Sequence, residues 1–600
     1  MRVNFSSLGY STSPFATFPH STSSMELMNY RHKLEKFKMA NKKANTTLEE
    51  STNYSRDPDQ DQMMEMTNKY TNAEVEEKAN PSRDTDQDQF MPFGTKLVLI
   101  TISLMLAVLC VALDNTIIAV AIPLITDQFH NLNDVGWYAS SYLLTTCSFQ
   151  LLYGKFYTLF NIKWVFLVAL CIFELGSLIC GVAPSSTVLI IGRAVAGLGS
   201  AGIFTGALIT VGHIVELKKR PIFFSMIGGV YGIASVAGPL MGGAFTDHAT
   251  WRWCFYVNLP IGGITAVGIL ALLKLPPRAI PKKRSWMQTI KSLDPLGTMV
   301  FVPSIVCLLL ALQWGGVQYP WSNGRIIALF VLFGIGVIIF IGLQIALGEN
   351  ATVPVRIANQ RSIKFASIFG FCIGASFFIM VYYIPIWFQA IRGTTAVGAG
   401  IDSLPLVLAH VVAIIVSGAL TSRLGYYTPF FIASSIICSI GAGLITTFTV
   451  DISQAKWVGF MFIYGIGAGC GFQQGGVAAQ TVLSLGDASI GTAVVMFLQM
   501  LGGALFTTVA QTIFTTKLVK NLTALNMSGL DPSDIVHAGA TGLRRMVTSD
   551  QLPMVLEAYN DALMHVFQLA LNVGCVSIVG ALGVEWRSVK GKKIEAVVAA

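Results

Sequence analysis

From Leu97 onward the chain is a succession of apolar stretches separated by short polar gaps, while the residues before it contain no uninterrupted apolar run. A hydrocarbon core about 30 Å thick takes about 20 helical residues to cross. Stretches of about that length fall at 97–125, 134–154, 164–183, 187–214, 221–245, 254–274, 296–314, 325–347, 364–389, 399–420, 427–449, 456–482, 490–516 and 562–584. The pattern predicts an all-α polytopic membrane protein of fourteen spans, the seventh short and carrying Pro303, the last set apart by a long polar loop at 517–561.

The preceding segment, 1–95, is rich in Ser, Thr, Asn, Asp and Gln and holds a near-duplicate, SRDPDQDQMM and SRDTDQDQFM. Such a composition buries too little apolar surface to order itself, so a disordered tail is expected. No apolar run of the signal-peptide kind follows Met1, which leaves insertion to the first span.

Composition agrees with the pattern: 53% hydrophobic, 12% charged and a mean hydropathy of +0.62, where soluble domains carry about 25% charge. Residues 1–95 hold 11 basic against 14 acidic side chains, and the remainder 29 against 18. The apolar body is thus basic, and its Lys and Arg concentrate in alternate gaps: Lys155 and Lys163, Lys218 to Arg220, Lys274 to Lys291, Arg356 to Lys364, Arg423, and Arg587 to Lys593. That alternation orients membrane helices, implies two cytosolic termini and leaves no role for nucleic acid. The 517–561 loop then lies outside, where Asn521 and Asn526 sit in glycosylation acceptor sequences. The plasma membrane is the expected location, with the vacuolar membrane as the alternative. The ten cysteines fall in or beside apolar stretches, without the spacing of metal ligands or paired disulfides.

Ionisable groups inside spans cost about 2.5–3.5 kcal/mol at mid-helix and so need a reason. Asp114 in the first span and Arg193 in the fourth, which runs the opposite way, stand at similar outer-half depths. Burial favours a neutral carboxyl and a nearby guanidinium a charged one, so the pair is suited to taking up and releasing a proton. A purely structural ion pair would look the same. Glu174 in the third span is either a further proton site or a packing group, and His410 either titrates or is hydrogen-bonded in place. Asn115, Gln150, Gln344, Gln473, Gln474 and Gln499 are uncharged polar groups suited to a substrate cavity or to interhelical bonding, and Phe472 lies with two of them in the Gly-rich GIGAGCGFQQGG. In the fifth span Gly238, Pro239, Gly242 and Gly243 form GPLMGG, built for close helix approach and bending. GKFYTLFNIK, with Gly154 and Lys163, and GALTSRLGYY, with Gly418, Arg423 and Gly425, are corresponding basic turns, an internal repeat of the kind that secondary transporters use to rock two halves about one site.

LDNTIIAVAIPLIT, GRAVAGLGSAG, GPLMGG and WRWCFYVNLPIGG, in that order, resemble the first-, fourth- and fifth-helix motifs and the stretch into helix six of the fourteen-helix drug:proton antiporters of the major facilitator superfamily, as they occur in fungi. The resemblance implies a six-helix half at 96–274, a linker and two extra helices at 275–350, a second half at 351–584 and a cytosolic end at 585–600. The family's inner-turn motif fits loosely, because Thr158 and Ser422 stand where it has Asp and Asn161 where it has Gly. It further implies a monomer, free of cofactors, that exports drugs or fungal secondary metabolites in exchange for protons. Proton-coupled uptake, as in siderophore carriers, and a transporter-derived sensor without flux are the alternatives. A membrane enzyme would need a catalytic set of the HExxH or GxSxG kind, and neither occurs, nor does an ATP-binding loop.

Overall fold

The computed structural model describes residues 94–129, 134–274, 286–316, 318–525, 544 and 547–590. The expected disordered tail up to residue 93, Asn526 and the end from 591 onward lie outside them. The described part is helical, and we label its long helices α1 (Thr95–Phe129), α2 (Val135–Leu159), α3 (Ile162–Val182), α4 (Ser186–Ile214), α5 (Arg220–His248), α6 (Asn258–Leu272) and α7 (Pro295–Trp314). They continue with α8 (Gly324–Leu347), α9 (Arg361–Trp387), α10 (Leu404–Leu424), α11 (Thr428–Ile445), α12 (Gln454–Phe472, resuming as Gln474–Val482), α13 (Ala488–Ala524) and α14 (Leu552–Gly583).

Local chemistry marks where these helices begin. Asn161, Asp294, Asn323 and Gln360 accept a backbone N–H of the first turn of α3, α7, α8 and α9, which satisfies donors the helix leaves open. Proline occupies the first turn of α5, α7, α10, α11 and α14, where its missing N–H costs nothing. Gly425 ends α10 at φ +91°, backbone that a side chain would strain.

Among the described residues, twelve helices are long and apolar enough to cross a membrane. The expected spans at 134–154 and 456–482 are helices as well, but α2 and α12 are not among the twelve. Helix α2 is rich in Ser, Thr and Tyr and carries Gln150 and Lys155; Ser140, Thr146 and Ser148 each return a hydrogen bond to a carbonyl four residues back. Helix α12 is interrupted at Gln473.

Helix pairing repeats along the chain. α1 packs on α5 and α6, α2 and α3 on α4, and α3 on α6; eight positions later α9 packs on α13 and α14, α10 and α11 on α12, and α11 on α14. The two sets meet where α2 packs on α13 and α5 on α10. Helices α7 and α8 form a hairpin outside this repeat, with α7 against both α2 and α13. Only 11% of the apolar window of α8 is buried, so its surface is left for lipid.

One expectation needs correction. The polar loop at 517–561 is partly helical: α13 runs to Ala524 and α14 begins at Leu552. At 1.5 Å per residue a helix of that length reaches about 55 Å, well beyond the hydrocarbon core. Side chains that sequence polarity reads as loop tie the two extensions together: Asn521 of α13 donates to the Ala558 carbonyl and to Asp561 of α14. Gln344 takes the bonding alternative, donating to Asp294 at 2.8 Å and accepting the Val353 N–H.

Asp294 is the knot of the α7–α8 hairpin. Its backbone is left-handed (φ +50°), and its buried carboxylate accepts from the Gly297 and Thr352 N–H groups, the Thr352 hydroxyl and Gln344. Burial works against the charged form, but these hydrogen bonds outweigh it and hold the carboxyl below its usual range. A depressed folded-state pKa contributes stability that is present above the unfolded value and lost as pH falls through the folded one. Asp294→Ala is expected to destabilise the hairpin by about 3 kcal/mol, read as a lower thermal-unfolding midpoint of purified protein. The deficit against wild type should shrink at acid pH; an equal deficit at all pH values would remove the carboxylate from the account.

Candidate functional site

Helix α4 is wedged between α2 and α3 by its glycines. A Cβ at Gly192 or Gly199 would overlap α3, at Gly197 the Tyr142 carbonyl of α2, and at Gly202 the Tyr153 ring. This close approach carries Arg193 into the centre of the first half, where it is 1% exposed. Its Nη1 donates to Asp114 Oδ2 at 2.5 Å, its Nε donates to the Tyr138 carbonyl at 2.8 Å, and its Cζ sits 4.5 Å above the Tyr142 ring. Asp114 is fully buried. The two residues matched by depth in the sequence are thus in contact.

Sequence reasoning missed a third member. Asn258, at the start of α6, donates to Asp114 Oδ1 at 3.5 Å and to Ser177 of α3 at 3.3 Å. It lies inside WRWCFYVNLPIGG, and a polar residue opening an apolar helix was the available signal. Glu174, one turn before Ser177, faces Gly262 of α6, with both carboxylate oxygens buried and unpartnered.

Beside the ion pair, α1, α2, α4 and α5 flank a small, partly open pocket. Asn115, Tyr142, Thr146, Gln150, Ser200 and Tyr231 line it, with Met500 reaching in from α13. Asn115 donates to Tyr231 at 3.4 Å and Gln150 to Thr205 at 3.1 Å, while Gln150 Oε1 has no partner. The other cavity candidates lie elsewhere. Gln474 bridges Thr421 and Ser417 of α10, Gln499 donates to the Phe472 carbonyl, and Gln473 packs against Gly228. Phe472 and Phe377 enclose His410, which stacks on Phe377 at 4.2 Å with Nδ1 unpartnered.

The family model of the Major Facilitator Superfamily matches residues 104–507. The chain belongs to that superfamily. It is similar to the efflux pump aflT of Aspergillus parasiticus, 65% identical over 497 residues that cover 83% of this chain and 97% of the relative. It is similar also to the MFS-type efflux pump MFS1 of Arthroderma benhamiae, 56% identical over 503 residues, 84% of this chain and 94% of that one. Among solved structures it resembles the proton:xylose symporter XylE with a TM-score of 0.54 at 11% identity, covering 82% of this chain and 98% of that chain. That likeness speaks for the fold.

In this superfamily member the two basic turns occupy equivalent places. Gly154 of α2 lies against Ser489, Ile490 and Ala493 of α13, and Gly418 of α10 lies against Pro221 and Ser225 of α5. Lys163 reaches the Leu270 carbonyl at 2.7 Å, Arg423 is exposed, and the Gly425 carbonyl accepts the Val589 N–H. The GPLMGG glycines differ among themselves: a Cβ on Gly238 would overlap Thr116 of α1, whose hydroxyl donates to the Ala234 carbonyl at 3.0 Å, whereas nothing lies within 4 Å of one on Gly243. Pro239 is inside α5, and Gly242 is buried. Gly238→Val should therefore force α1 and α5 apart and abolish transport, and Gly243→Val should leave it near wild type. Equal activity of the two, in cells matched for surface expression, would show that the contact is immaterial.

Proposed function

We propose that this protein exports small amphipathic organic molecules in exchange for protons, moving its two halves about the α2–α13 and α5–α10 contacts by alternating access. The observation that carries the reading is the buried Asp114–Arg193 pair at the edge of a pocket, in a chain whose relatives are named efflux pumps. Those names favour export over uptake. Drugs, toxins and fungal secondary metabolites are the cargo class. We assign the chain to the fourteen-helix drug:proton type, with α2 and α12 also crossing the bilayer, acting as a monomer in the plasma membrane with both termini in the cytosol.

Export against a gradient needs a group that changes protonation each cycle. A proton falling through one pH unit supplies about 1.4 kcal/mol and each 100 mV about 2.3 kcal/mol per charge. Together they sustain a roughly 400-fold gradient of a neutral substrate. Asp114 is that group, Arg193 and Asn258 stabilise its charged form through hydrogen bonds, and Glu174 is a second protonatable group of the same half.

Asp114→Asn keeps the shape and removes the titration. In proteoliposomes it should abolish pH-driven accumulation and flatten the pH dependence, while downhill exchange survives; accumulation with unchanged pH dependence would refute the assignment. Glycosylation tests the topology. Asn521 lies in α13, and its Nδ2, the atom a glycan would take, donates to the Ala558 carbonyl and to Asp561 at 2.9 Å. Asn526 is thus the expected acceptor: Asn526→Gln should remove a glycosidase-sensitive gel shift and Asn521→Gln should not, and loss of the shift only in the latter would reverse this.

A further inference from the structure

Beyond α14 the chain turns back across the link between α10 and α11. Residues 584–590 form a strap there: the Val589 N–H donates to the Gly425 carbonyl at 2.8 Å, and the Thr428 hydroxyl to the Glu585 carbonyl at 3.0 Å. Val584 and Val589 are buried, and the Lys590 stem lies on Gly425, 2.9 Å from where a Cβ would stand. So fixed, the strap sets Trp586 beside Tyr426 with ring centroids 6.4 Å apart, and leaves the two residues 62% and 42% exposed. Aromatic side chains with a polar tip settle at the headgroup level of a bilayer. The exposed stripe of α14, Val576, Val579 and Leu582, runs down to the strap, so the rings continue a surface left for lipid.

Charge completes the pattern. Arg361, Lys364, Arg423, Arg587 and Lys590 are exposed in or beside the strap, Arg361 bonding the Gly583 carbonyl at its root. The acid of the strap, Glu585, is taken up by Gln360, Ser362 and Arg587. Lys364, Arg423 and Lys590 form no ion pair among the described residues. The corresponding turn of the first half differs, since the Lys163 ammonium there bonds the Leu270 carbonyl. We propose that this face binds an anionic phospholipid, its phosphate on Arg423 and Lys590 and its chains along α14. Phosphate oxygens accept charge-assisted hydrogen bonds from such cations, while the two rings stand between headgroup and chains. A soluble phosphate or an acidic peptide would use the cations alone and leave the rings and the stripe without a role. The cytosolic leaflet is the one rich in anionic lipid, and this is the end for which we propose a cytosolic position. The binding depends neither on the cargo nor on the proton site.

The test uses the purified full chain in phosphatidylcholine nanodiscs doped with a phospholipid brominated on its acyl chains, which quenches tryptophan on contact. The chain has ten tryptophans, so the Trp586 signal is taken as the difference between wild type and Trp586→Phe. Brominated phosphatidylserine should quench that signal at a several-fold lower mole fraction than brominated phosphatidylcholine. Arg423→Gln and Lys590→Gln should each reduce this preference, and the double variant should lose it while both lipids still quench, because the apolar contact remains. If the double variant does not fold, raised salt on wild type takes its place, since screening should likewise remove the preference. Equal quenching by the two lipids in wild type overturns the proposal, and a preference that survives the double variant, or survives raised salt, overturns the assignment to these cations. Glycerophosphoserine, the headgroup without chains, should not relieve the quenching; relief at concentrations matching the lipid would make the face a site for soluble anions and sink the lipid.

Discussion

A carboxylate and a guanidinium inside a bilayer cannot be left apart, and the first half of this transporter is arranged to bring them together. Each charge alone would cost several kcal/mol. Pairing requires α1 and α4 to lie side by side at a fixed register, and the Gly-rich face of α4 makes that approach feasible by letting α2 and α3 close in behind it. Tyr138, Tyr142 and Asn258 then satisfy what the pair leaves open. The pocket follows from the same arrangement, because the residues that hold Arg193 on α2 are next to those that line the cavity.

The contacts between halves are of a different kind. At the basic turns they consist of glycine against backbone and small side chains, Gly154 on α13 and Gly418 on α5. Contacts of this sort pack closely without burying charge, so parting them carries no desolvation penalty of the kind an ion pair imposes. The absence of Asp at positions 158 and 422 agrees with an interface held by shape.

The α7–α8 hairpin spans the same boundary. Gln313 and Trp314 meet Gly136 and Trp137 of α2 at one end, and Phe301 meets Phe497 of α13 at 5.4 Å midway. At the other end the Asn350 carbonyl accepts from Lys155, and Arg356 bonds Asp487. The hairpin is thus attached to α2 and α13, and the Asp294 knot keeps its two helices together where these attachments begin.

Apolar run length and basic gaps by themselves determined an all-helical membrane chain and the approximate positions of its helices, because the bilayer imposes one length and one hydrogen-bonding solution on every segment. They also singled out Asp114 and Arg193, since charge is costly in that solvent wherever it occurs. What tertiary structure decided was which polar groups meet. Gln150 and Asn115 line a pocket, while Gln344, Gln474 and Gln499, chemically alike, hold helices together. Asn258 joined the ion pair and Asn521 was drawn into a helix end. Gly238 was set against a neighbour and Gly243 against open space. Pattern fixes a residue's depth and its helix, but the rotation of one helix against the next depends on packing across several helices at once, and that information lies in no single stretch of sequence.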